Sequence, residues 1–115
     1  MNDYSKYWLV FAHIKPAKGY SFNELVESET SENYIGAWAN LIIKADTING
    51  ALDIVPLGLK EKNFDVEFID KIENIQSLYE YNELDEIVIN EVEWISKTNF
   101  VFLISDKVFP YTSEE

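Results

Sequence analysis

The sequence predicts an α+β fold, a mostly antiparallel sheet with helices packed on one face. Three observations carry that prediction. Runs rich in β-branched and aromatic residues recur at 7–15, 34–45 and 99–105, the composition of strands. Between them, Ile48, Ala51, Leu52, Val55 and Leu59 recur at helical spacing and form one apolar stripe. Phe64-Asp65-Val66-Glu67-Phe68 alternates apolar with acidic side chains, as a strand with one wet face does. At 115 residues, 47% apolar and 15% aromatic, the chain can fill one core. It is read as a single globular domain over 1–115, with 106–115 a loosely held tail.

Each element has its own justification. The first strand, 7–15, is apolar on both alternating faces, which suits a strand covered on both sides or lying under helices; Pro16 and Gly19 end it. Ser21 and Glu24 have capping-box spacing for a short helix with Leu25 and Val26 as its grip. Residues 27–33 lack an apolar face and read as an exposed acidic loop. In the strand region 34–45, Gly36 marks a bulge or the close approach of another backbone. Asp46 stands where the N-cap of the next helix belongs, and Pro56 and Gly58 interrupt that helix toward its end. Asn63 is placed to close it. After 64–68, Ile69, Ile72, Ile75 and Leu78 extend the apolar content beyond a bulge. Asn82 is a candidate cap for a helix with Leu84, Val88, Val92 and Ile95 inside, but Ile87-Val88-Ile89 argues for a strand, so 83–97 stays open between the two. In 106–115, Phe109, Pro110 and Tyr111 have the apolar surface to fold back on the body. The order strand, short helix, strand, helix, strand, helix, strand makes a ferredoxin-like layout the best single picture.

Composition excludes several functions. The chain carries 21 acidic residues against nine lysines and no arginine, a formal net charge of −12. Nucleic acid and anionic membranes would repel it, and the fork that grips phosphate and guanine is missing. Without cysteine, no disulfide, thiolate nucleophile or zinc–thiolate site can form. No signal-peptide pattern and no apolar stretch of ~20 residues occurs, so a soluble cytoplasmic protein is expected.

Catalytic signatures are sparse. His13, the only histidine, lies inside an apolar strand, where a packed residue with one hydrogen bond outweighs a general base lacking a partner. There is no Gly-x-Ser-x-Gly elbow, phosphate-cradling loop or calcium-loop pattern. Asp65 with Glu67, and Glu91 with Glu93, are spaced for one strand face, yet a chain this short has little room for a substrate groove. An enzyme is not expected, and neither is a cofactor or metal.

Charge placement is the more informative signal. From 65 to 93 there are ten carboxylates and a single base, Lys71, so this stretch holds nine of the twelve net negative charges. Concentrated fields steer oppositely charged partners, and aromatics embedded among the charges supply anchor area. The candidate partner-binding residues are therefore Asp70, Glu73, Tyr79, Glu80, Tyr81, Glu83, Asp85, Glu86, Glu91, Glu93 and Trp94. Trp94 is equally placed for the core or the interface. A basic protein is the partner implied, since proteins that act on nucleic acid hold phosphates in basic clefts.

In size, lack of cysteine, the acidic belt from 70 to 93 and the junction Leu41-Ile42-Ile43-Lys44-Ala45-Asp46, the chain resembles small acidic bacterial immunity proteins. These protect cells from polymorphic toxins, including those of contact-dependent growth inhibition. The resemblance implies a cytoplasmic inhibitor of one cognate toxin domain, a nuclease by its chemistry, with no activity of its own. Two rivals remain. A nucleic-acid mimic would need Glu24, Glu27, Glu29 and Glu32 on the same side as the later acids. A small hydrolase or ligand-binding domain would need a pocket at His13 with two carboxylates.

Overall fold

The computed structural model describes residues 3–25 and 34–112. Their elements run β1 (Tyr7–Pro16), α1 (Phe22–Leu25), β2 (Gly36–Lys44), α2 (Ile48–Glu61), β3 (Phe64–Asn74), α3 (Ile75–Glu80), α4 (Glu86–Ser96) and β4 (Phe102–Tyr111). The strands form one sheet in the order β3-β1-β2-β4, with every neighbouring pair antiparallel. The class is the α+β class that the sequence predicts. Because β2 and β3 both run antiparallel to the strand between them, β2-α2-β3 is a split βαβ unit, the piece shared with ferredoxin-like layouts. Val26, Glu27, Glu29 and Glu32 lie outside the described residues, as does the side chain of Glu24, the second half of the capping box at Ser21.

The helices, expected on one face of the sheet, divide between both. On one face Val10, Ala12, Ile14, Ala37, Ala39, Leu41 and Ile43 meet Ala51, Val55 and Leu59 of α2, with Phe22 and Phe64 closing the end. On the other, Tyr7, Leu9, Ile42 and Leu103 meet Ile75 of α3 and Val88, Val92 and Ile95 of α4, with Tyr4 beside them. Two-sided coverage is what the two apolar faces of β1 require. At β3, Phe11 pairs with Lys71 and Ala12 with Ile69, then His13 with Phe68 and Ile14 with Val66. Asp70 and Glu67 are therefore the extra residues of two bulges. Each bulge resets the alternation, which is how Val66, Ile69 and Ile72, three apart, all pack on the α2 core.

Caps correct several expectations. Thr47, not Asp46, caps α2 by accepting the Gly50 amide at 3.0 Å; Asp46 instead pairs with Lys6 at 3.4 Å. The helix runs unbroken through Pro56 to Glu61, since proline removes a single donor there and lies on the exposed side. Gly58 is a packing residue, because an added Cβ would stand 2.4 Å from the Phe102 ring. Asn63 does close α2, at φ 66. Asn82 is a closing residue too, not the cap of α4. At φ 58 it allows Asn82 N to donate to Tyr79 O and Glu83 N to Leu78 O, a Schellman closure of α3.

Asp85 caps α4, accepting the Ile87 amide at 2.8 Å. Residues 86–96 are thus helical despite the β-branched trio, because Val88, Val92 and Ile95 are buried on one stripe. That burial outweighs a propensity deficit of a few tenths of a kcal/mol per residue. Residues 106–111, expected to hang loosely, form the second half of β4. Phe109 pairs across from Trp38 and Tyr111 from Gly36, so apolar surface draws this segment onto the sheet.

Candidate functional site

Strands of ten or eleven residues span roughly 33–36 Å, whereas the eleven residues of α4 make a helix of roughly 16 Å. The second face is accordingly only half covered. Beyond Leu9, the register lays one ring-bearing residue from each strand in a row: Phe68, His13, Trp38 and Phe109. Phe11 stacks on Trp38 at 5.3 Å between centroids, and Tyr111 stacks on His13 at 5.4 Å. Phe68 meets Trp38 edge to face at 5.2 Å. Phe68 and Phe109 are each about half exposed. Gly36 permits this layout, since a Cβ there would meet the Tyr111 hydroxyl at 2.6 Å. This aromatic platform was missed in the sequence. Its only signal, Phe11 and His13 on one parity of β1, becomes legible once the register is known.

A cleft of about 250 Å³ lies where the platform meets the α3–α4 connection, lined by Phe11, Asn40, Lys71, Glu73, Glu83, Asp85 and Lys107 among others. The structure thus brings Glu73, Glu83 and Asp85 together. Two of them are engaged: Glu73 with Lys71 at 3.5 Å and Asp85 with Lys107 at 3.0 Å. The Lys107 hydrogen bond, followed by the Ile87 amide, holds the Asp85 carboxyl below the usual carboxylate range. Asp70 borders the neighbouring half of the platform with Phe11, Trp38 and Phe109.

The remaining expected residues divide between the α3–α4 junction and separate positions on α3 and α4. Glu80 accepts from Gln76 Nε2 at 3.2 Å. Glu80, Glu83 and Glu86 stand exposed around the end of α3 and start of α4, next to Tyr81, 76% exposed. Tyr79 packs edge to face on Tyr4 and remains half exposed. Glu93 accepts from the Tyr4 hydroxyl at 3.5 Å. Glu91 is turned to β4, accepting from Ser105 Oγ at 2.5 Å and the Asp106 amide at 2.8 Å. Trp94 is half exposed and stacks on Phe100 at 6.0 Å, away from the cleft.

His13 Nε2 meets the Tyr111 hydroxyl among aromatic rings, and among the described residues no hydrogen bond or ion pair joins it to a carboxylate. Nor do the described residues hold a group of three or more His, Asp or Glu placed for a metal ion, or a helix long and apolar enough to cross a membrane. No protein-family model, curated protein or solved structure matches the chain.

Proposed function

We propose that this chain is an immunity-type inhibitor, a cytoplasmic protein that binds and neutralises one cognate basic toxin domain that acts on nucleic acid. The observation that carries this reading is the acidic ridge at the α3–α4 junction. Within seven residues Glu80, Glu83 and Glu86 are exposed, and among the described residues none of them has an ion pair. Tyr81 projects beside them, 76% exposed. Crowded like charges do not help the fold. They raise the encounter rate with a cationic surface, and a large rigid ring supplies contact area at low entropic cost. A basic nucleic-acid cleft fits that surface: carboxylates would occupy the positions of phosphates and block substrate.

The test is kinetic. The product of the gene adjacent to this one is purified, and its association with the chain is followed by stopped flow over a range of salt. Reversing Glu80, Glu83 and Glu86 to Lys is expected to slow association by about tenfold or more at low salt and to flatten its salt dependence. An unchanged rate removes the electrostatic basis of the proposal.

A further inference from the structure

The uncovered half of the sheet has features that the acidic ridge does not explain. A depression of about 320 Å³ is lined by one residue from each strand: Phe11, Trp38, Asp70 and Phe109. Three are aromatic, and the fourth is the bulge residue of β3, whose carboxylate has no ion pair among the described residues. The lysines bordering the platform are already engaged, Lys71 by Glu73 and Lys107 by Asp85. Among the described residues, no helix lies over this half. The depression thus sets an exposed carboxylate, with no ion pair among the described residues, beside three ring faces, an arrangement that suits an incoming cation.

We infer that this depression receives an arginine side chain of the basic partner, its guanidinium against the Phe11, Trp38 and Phe109 rings and beside Asp70. The inference rests on the reading that the partner is a basic protein and adds a second contact region, the platform, to the ridge. Aromatic faces attract a cation within about 6 Å of the ring centre, most often arginine. A guanidinium is planar, weakly hydrated and able to stack while donating to a carboxylate, whereas an ammonium is compact and strongly hydrated. Charge complementarity selects this occupant over the others. A second copy would bring another −12 and set Asp70 near Asp70. A nucleic-acid base would carry its phosphates toward a negative surface.

The full-length chain, ¹⁵N-labelled, is titrated with tetra-arginine, tetra-lysine and tetra-glutamate peptides, and every backbone amide and indole resonance is followed. Tetra-arginine is expected to shift the Trp38 indole saturably and tetra-lysine more weakly, with no response to tetra-glutamate. Asp70→Asn and Phe109→Ala, both at exposed positions, are each expected to weaken the tetra-arginine midpoint roughly three- to tenfold. Shifts confined to residues 80–86, with Trp38 unmoved, overturn this inference and leave the ridge reading standing. A Trp38 response unaffected by either variant, or one that tracks self-association with protein concentration, also overturns it. No shift at any residue overturns both.

Discussion

The carboxylate of Glu91 reaches from α4 to an irregular stretch of β4. Between the pairs Leu41–Ile104 and Ala39–Val108 that strand carries two surplus residues, so some of its polar groups need partners from outside the ladder. Glu91 supplies them, accepting from buried Ser105 and from the Asp106 amide. Glu91→Ala is expected to lower stability by about 1–3 kcal/mol, read as a lower urea midpoint, while the triple reversal at 80, 83 and 86 leaves that midpoint nearly unchanged or higher. Asp85 behaves differently with pH. Its carboxyl is held below the ordinary range, so its stabilisation is complete above that range and is lost as pH falls through the depressed value. Asp85→Ala is therefore expected to lower the melting temperature at neutral pH, with the gap to the parent chain closing in acid. A count of carboxylates was legible in the sequence; which of them are engaged was not. The partners of Asp85 and Glu91 lie 22 and 14–15 residues away and meet them only through the packing of α4 on β4.

Elements were easier to read than their ends. The four strands and α2 follow from periodicity and composition, because burial of a stripe or a face dominates local energetics. Helix α4 does not, since its β-branched trio reads equally as strand, and α3 is hidden in the apolar run that follows β3. Terminal residues are decided by smaller effects. Thr47 and Asp46 compete for one cap, as do Asp85 and Asn82, and the outcome depends on where the chain enters from. Alternation alone also hides bulges: Phe64 to Phe68 reads as a regular strand, yet Glu67 breaks its register, whereas the bulge expected after Phe68 is there, at Asp70. Helix α2 shows the converse, an apparent break that is none. Gly58 reads as a helix breaker, but its place is set by the Phe102 ring against its Cα. Gly58→Ala is expected to cost about 1–3 kcal/mol through overpacking, measured by thermal or urea unfolding. A surface glycine-to-alanine change in a helix would normally stabilise by up to ~1 kcal/mol, so the sign of the effect is diagnostic.

At the scale of the whole molecule the dominant quantity is the net charge of −12. Ion pairs among the described residues involve three lysines, and self-repulsion works against compactness. Raising ionic strength from 0.01 to 0.15 M shortens the screening length from about 30 Å to about 8 Å. The melting temperature is expected to rise over that range in a scanning calorimeter, and a fall would mean that ion pairs outweigh repulsion. The helices divide over both faces, and their lengths leave the aromatic half of the second face open. The aromatic row was invisible in the linear chain because it joins residues from 11 to 111, brought together only by four strands in register. Both outer strands, meanwhile, are irregular: β3 swells at two acidic positions and β4 at its middle, with Pro110 near its end. A neighbouring chain seeking to extend the ribbon finds donors and acceptors out of step and carboxylates in the way, so concentrated solutions of this protein should resist fibril growth even with seven aromatic side chains exposed among the described residues.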